Sequence, residues 1–336
     1  MRLIFLSRGE PCRAQLRWHV ALAAVVFIAC GAVAPANASA GGVRDQDEVL
    51  LVNVRPVGCS CDPATLADGV QIESYESADE SGRRQWRTSN IASVVAADPS
   101  VSTVIFVHGN RLTNWDAKCE GVAAYRRVAR QVADDAPIRF VIFSWPAAQI
   151  SGPLKDVRVK AARTRPAGCQ LAWFIDQLPA ETPLTLVGFS FGARIVTGSL
   201  NILGGGSGGP AELQHPSRRP VNAVLLAAAL NSDWLCPGHC HVRAMSVVKE
   251  MVLVDNCEDR AMKYYHFSTT NGRPQALGLC GPTCIDPAGA AKIVELNVGR
   301  YVGSEHNLFR YLSAPGVTSE IAELTQTASG PVVAAN

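Results

Sequence analysis

Short, unbroken apolar runs punctuate the middle of the chain. Residues 103–107 (TVIFV), 140–144 (FVIFS), 184–187 (LTLV), 221–228 (VNAVLLAA) and 251–254 (MVLV) are too short for helices and rich in β-branched or aromatic residues, a pattern that predicts strands buried on both faces. Between them the period changes. Residues 116–134 place Val122, Tyr125, Val128, Ala129 and Val132 at helical spacing, with Asp116 early as a cap. Residues 160–178 form a second amphipathic helix whose start is blurred by Pro166 and Gly168. A third helix is predicted over 193–203, ending at the Gly204-Gly205-Gly206 run. Residues 48–55 (EVLLVNVR) read as a first strand and 293–298 as a last one, while 71–97 is mixed, polar and left unassigned. Strands alternating with helices predict an α/β fold, a mostly parallel central sheet with helices on both faces, and chemistry off the carboxyl ends of the strands. The alternation is continuous, so one domain is expected rather than two.

The first forty residues follow a different pattern. Arg2, Arg8, Arg13 and Arg17 precede an uncharged apolar run over 20–33, and Ala38-Ser39-Ala40 suits a cleavage site. This predicts a signal peptide over 1–40 and a single domain over 41–336, in an exported protein that is periplasmic or extracellular. The run is shorter than the roughly 20 residues of a spanning helix. Two alternatives stay open: an uncleaved N-terminal anchor, and a lipoprotein-like cleavage that leaves Cys30 acylated. Either would be the chain's only expected contact with a membrane.

Cysteine usage agrees with export. Of eleven cysteines, Cys12 and Cys30 precede residue 41, and the other nine are expected to form disulfides, with at least one left over. Charge narrows the partners. The 31 basic and 29 acidic side chains nearly balance, and residues 1–40 take away only four Arg and one Glu. No basic stripe stands out, which argues against nucleic acid. Nothing in the sequence sets an oligomeric state.

The chemistry centres on Gly188-Phe189-Ser190-Phe191-Gly192, a G-x-S-x-G sequence between a predicted strand and a predicted helix. Such a turn holds a serine in a strained, exposed conformation, and its glycines avoid collisions with the neighbouring strand and helix. A nucleophilic serine needs donors for the oxyanion. The N–H of Phe191 is one, and the turn His108-Gly109-Asn110-Arg111 should supply the other from Asn110. His108 is expected to support that turn rather than act as base. The base must arrive from a later loop, and His306 in Gly303-Ser304-Glu305-His306-Asn307 fits, with His266 as the alternative. The acid that orients it should follow the penultimate strand. Asp259 is favoured because a loop of several residues lets it turn over the sheet edge, while Asp255 and Glu258 remain open.

These motifs together resemble the α/β-hydrolase superfamily. More narrowly, they are similar to a bacterial branch of uncharacterised serine hydrolases with an F-x-H-G-x-N turn, matched here to Phe106 to Asn110, a strand ending in Ser144-Trp145-Pro146, and G-F-S-F-G. The resemblance spans about 48–312. It implies an α/β-hydrolase fold and a Ser190, Asp259, His306 triad in that chain order, with Gly109, Gly188 and Gly192 in support. It also implies little or no lid, since residues 230–250 leave scant room for one. The expected activity is hydrolysis of an ester or related acyl bond in a small molecule through an acyl-enzyme, with no cofactor and no metal. A non-catalytic binding module on the same fold, and an amidase or peptidase, are the alternatives.

Other features have plainer readings. Cys236, His239, Cys240 and His241 could hold zinc, but local disulfides within 236–240 and 280–284 are the stronger expectation. The glycine run at 204–209 follows a helix and lacks the ending of a phosphate loop. Trp145, Phe189, Phe191 and Trp234 are candidates for an apolar rim at the site.

Overall fold

The computed structural model describes residues 42–78, 83–213, 219–269 and 272–328. The leader expected over 1–40 lies outside them. Nine strands form one sheet: β1 (Glu48–Asn53), β2 (Gln71–Ser77), β3 (Arg84–Ser89), β4 (Ser102–Val107), β5 (Ile138–Ser144), β6 (Leu184–Phe189), β7 (Val221–Leu226), β8 (Val248–Asp255) and β9 (Ile293–Asn297). Their order is β3-β2-β1-β5-β4-β6-β7-β8-β9. Only β2 runs against its neighbours, pairing antiparallel with both β1 and β3. The strands β4, β5, β6 and β7 are buried along their whole length, as continuous apolar runs in a doubly covered parallel sheet should be.

Two layers of helices cover the sheet. Asn114–Ala129 packs with Val317–Thr327 and the short helix Leu308–Leu312, while Pro153–Gln177 packs with Phe191–Leu203. A mostly parallel sheet with helices on both faces is consistent with the α/β-hydrolase fold. The register places three turns together. Val107 pairs with Gly188 and Phe189 with Leu226, so the turns after β4, β6 and β7 leave the sheet at one edge.

Local departures from the sequence reading have physical causes. The second helix begins at Pro153, seven residues before its expected start, and carries Pro166 in its interior. The N–H that proline lacks would have served Ala162, an exposed residue whose carbonyl water can satisfy, and the flanking turns are held by burial. The first helix is capped by Thr113, with Asp116 closing a capping box rather than serving as the cap. The unassigned segment forms β2, β3 and the short helix Ile91–Val95, with Tyr75 against Trp86 at 4.9 Å.

Cysteine pairing is long-range. Cys61 pairs with Cys169 and Cys236 with Cys284, with Cα atoms 6.0 and 5.4 Å apart. The expected local pairs are not formed; Cys240 and Cys280 are free and exposed, as are Cys59, Cys119 and Cys257. Disulfides persist in oxidising compartments, which fits an exported protein. Among the described residues no helix is long and apolar enough to cross a membrane.

Candidate active site

Ser190 is the single residue between β6 and the Phe191–Leu203 helix, and it has φ 55° and ψ −119°. A non-glycine residue enters this region only when its surroundings hold it there. Here the backbone is clamped on both sides. Ser190 N–H donates to Leu226 O at 2.9 Å, and Ser190 O accepts from Ala193 and Ala229 N–H, each at 3.1 Å. The flanking glycines permit the close approach. A Cβ on Gly192 would lie 2.0 Å from Val107 O, and one on Gly188 would lie 2.5 Å from Ala193 Cα.

The structure brings His306 and Asp259 to this serine. His306 Nε2 lies 2.9 Å from Ser190 Oγ, and His306 Nδ1 lies 2.7 Å from Asp259 Oδ2. Asp259 is fully buried, and its Oδ1 accepts from Met262 N–H at 3.1 Å. Burial pushes its carboxyl up, but the charge and hydrogen bond of His306, the Tyr311 hydroxyl and the Met262 N–H outweigh that and hold it below the usual carboxylate value. An ionised acid therefore faces the imidazole. Phe189 stacks on the His306 ring with centroids 4.9 Å apart.

The alternatives lie elsewhere. Asp255 stays in line with β8 and accepts from Asn297 Nδ2 at 2.7 Å; burial pushes its carboxyl up to about 6. Glu258 is exposed. His266 packs on Phe267 at 4.3 Å. Two neighbours of the site escaped the sequence reading. Tyr311 donates to Asp259, and the fully buried Asn256 donates from Nδ2 to Gly303 O at 2.8 Å, tying the acid loop to the histidine loop. Asn256 stands three residues before Asp259 in the loop after β8, and its amide was the available clue.

The turn after β4 lies against Ser190, since a Cβ on Gly109 would sit 3.4 Å from Ser190 Cβ. His108 is fully buried, with Nδ1 2.8 Å from Gly109 O and Nε2 3.4 Å from both Trp145 N and an Arg55 nitrogen. Burial pulls its pKa down to about 3, so it is neutral, and its ring nitrogens are engaged by Gly109, Trp145 and Arg55. Asn110 follows Gly109 directly, one place earlier than an F-x-H-G-x-N spacing would set it. Its Nδ2 donates to Asp156 Oδ2 at 3.1 Å. Phe191 opens its helix, where a backbone N–H has no intrahelical acceptor.

The apolar rim needs correction. Trp145 is fully buried and donates through Nε1 to His108 O at 2.9 Å, and Phe189 and Phe191 are buried too. Half-buried Trp234 instead carries the Arg194 guanidinium, 4.4 Å above its ring. The zinc reading fares no better. Cys236 is disulfide-bonded and His241 Nδ1 lies 2.9 Å from Thr197 Oγ1, and among the described residues no cluster of His, Cys, Asp or Glu is placed to hold a metal.

No family model matches this sequence, and no curated protein is detectably similar to it. Solved structures are similar at low identity. An acetyl xylan esterase matches at 13% identity and TM-score 0.36, over 68% of this chain and 99% of its own. Acyl-protein thioesterase 2 of Zea mays matches at 14% and 0.36, over 68% and 94%. Thermogutta terrifontis esterase 2 matches at 13% and 0.30, over 77% and 86%. Likenesses this distant carry no argument about activity, which has to come from the site.

Proposed function

We propose that this protein is an exported serine hydrolase that cleaves an ester or related acyl bond of a small molecule through a covalent acyl-enzyme. One observation carries the reading: Ser190 Oγ, His306 and Asp259 form a continuous hydrogen-bonded series at 2.9 and 2.7 Å, with the serine at φ 55° between strand and helix. In the proposed cycle Ser190 Oγ attacks the carbonyl carbon while its proton passes to His306 Nε2. Asp259 keeps the imidazole Nδ1–H turned toward itself and stabilises the imidazolium. The N–H groups of Phe191 and Asn110 receive the oxyanion. His306 then protonates the departing alcohol or thiol, later takes a proton from the water that attacks acyl-Ser190, and returns it to Ser190 Oγ as the acid leaves. The scheme calls for no metal or cofactor.

A fluorophosphonate probe tests it. Only an activated serine reacts, so the wild-type protein should label and Ser190→Ala should not. Folded wild-type protein that fails to label would favour a non-catalytic binding module. Turnover of p-nitrophenyl esters against peptide anilides separates an esterase from an amidase or peptidase.

A further inference from the structure

Four donors converge on one buried carboxylate beside the turn that follows β4. Asp156 lies in the first turn of the Pro153–Gln177 helix and is fully buried. Its Oδ1 accepts from Lys160 Nζ and from Ile150 N–H, each at 3.0 Å; its Oδ2 accepts from Asn110 Nδ2 at 3.1 Å and from Arg111 Nε at 3.2 Å. Lys160, one helical turn on, is also fully buried. Burial pushes the Asp156 carboxyl up, but the Ile150 N–H, Lys160 and Arg111 outweigh it and hold it below its usual value. An ion pair taken out of water persists only with its remaining lone pairs satisfied, and here both oxygens are doubly engaged. Nothing in the Ser190, His306, Asp259 cycle uses this group.

Two of the four donors belong to the proposed oxyanion turn. Arg111 has φ 65°, a conformation that costs a non-glycine residue free energy and needs outside restraint. Asn110 directs its side-chain amide to Asp156, which leaves its backbone N–H as the group the turn can offer to substrate. The turn itself touches the nucleophile's surroundings at Gly109.

We infer that Asp156 is the positioning residue of the oxyanion turn: by gripping the side chains of Asn110 and Arg111 it fixes the peptide whose N–H receives the developing charge. The inference rests on the serine-hydrolase reading. Lys160 is the counter-charge that keeps Asp156 ionised. Donors fixed in advance need no reorganisation when charge develops, and a slack turn forfeits that advantage.

Asp156→Asn alone strands the buried Lys160 charge, so the test uses Asp156→Asn/Lys160→Met, which removes both charges at similar volume. Asn110→Ala, which leaves the ion pair intact, accompanies it and carries the test if the double variant does not fold. Active sites are titrated with a fluorophosphonate, and kcat and KM for p-nitrophenyl acetate are expressed per titrated site. We expect kcat per site to fall about 10- to 100-fold, less than outright loss of a donor, with KM changed by less than about twofold. The phosphonylation rate should fall in parallel, because the phosphonyl oxygen needs the same donors, and the pH profile should not move. A kcat per site within about threefold of wild type in folded variants would make Asp156 merely structural and overturn the inference. Wild-type protein that neither labels nor turns over esters would instead sink the serine-hydrolase reading, and this inference with it.

Discussion

The Tyr311 hydroxyl donates a 2.7 Å hydrogen bond to Asp259 Oδ2, the same oxygen that faces His306 Nδ1. Tyr311 is fully buried, five residues beyond His306 on the short Leu308–Leu312 helix, and Phe189 packs against both rings. The carboxylate thus has a second donor that helps to hold it ionised and in place. Tyr311→Phe keeps the ring and removes that donor. It should cost about 1.5–3 kcal/mol of stability, the usual range for a hydrogen bond to a charged group. If the serine-hydrolase reading holds, kcat should drop roughly tenfold, with the larger loss falling on kcat rather than KM. Urea midpoints and ester turnover measure the two effects. Unchanged values in both would show that the hydroxyl contributes nothing.

Gly192 faces a harder constraint. Its missing Cβ would occupy space 2.0 Å from Val107 O and 2.8 Å from His108 O, both rigid backbone atoms of the adjacent strand end. Gly192→Ala must separate the Phe191–Leu203 helix from β4 or fail to fold. Overpacking of this kind costs typically about 1–3 kcal/mol. The shift would also move Ser190 relative to the Gly109 turn, so fluorophosphonate labelling should be lost before the thermal transition is. A Gly192→Ala protein that labels at the wild-type rate would contradict the close approach.

What could be read from the sequence was whatever local order decides. The elbow around Ser190 was legible because strand, serine and helix are contiguous, and β4 to β7 because their runs are buried on both faces. Asp259 could be preferred over Asp255 because a strand keeps its last residue in line, as the Asp255 bond to Asn297 shows. Other features depend on partners far away in the chain. The strands β2 and β3 are half exposed, so their apolar residues, chiefly Ile72, Tyr75 and Trp86, are too sparse to show a period. Pro166 hid the length of a helix whose burial tolerates it. The disulfides joined Cys236 to Cys284 rather than to its neighbour Cys240, a pairing that folding decides and spacing does not. Asp156 has no sequence signature because its significance lies wholly in the residues that surround it.

The two buried histidines each contribute stability that is lost as pH falls. His108 has its pKa pulled down to about 3 by burial, and His241 likewise to about 3 by burial and by Arg194. In the unfolded chain both titrate near the ordinary histidine value of about 6.5. Between those values the unfolded state binds more protons, so stability falls as pH falls, by up to about 1.4 kcal/mol per pH unit for each group. Asp255 and Glu120, pushed up to about 6 and about 8 by burial, work in the opposite direction between their unfolded and folded values and offset this loss, so a change at His108 alone reads its share. His108→Asn retains a donor for Gly109 O and removes one titration. Its melting temperature should decline less steeply than wild type from pH 6.5 to 5, whatever its absolute value. Parallel slopes would mean that His108 is not held neutral.

The Cys61–Cys169 disulfide joins positions 108 residues apart, linking the segment after β1 to the Pro153–Gln177 helix. The same junction carries two further bonds, from Gln170 Nε2 to Gly58 O at 3.1 Å and to Ser60 O at 2.9 Å. Closing so long a loop restricts the unfolded chain strongly, and the chain-entropy account gives an upper figure of roughly 4.7 kcal/mol. Measured losses run lower, so Cys61→Ala/Cys169→Ala should lose about 2–4 kcal/mol. The side-chain hydrogen bonds of Ser190, His306 and Asp259 run to one another, to Met262 and Tyr311, and to neither cysteine. Stability and chemistry should therefore separate: the melting temperature drops, while fluorophosphonate labelling well below it proceeds at the wild-type rate. Loss of labelling in a still-folded double variant would mean that this crosslink reaches the site through the helix, by way of Asp156 in its first turn.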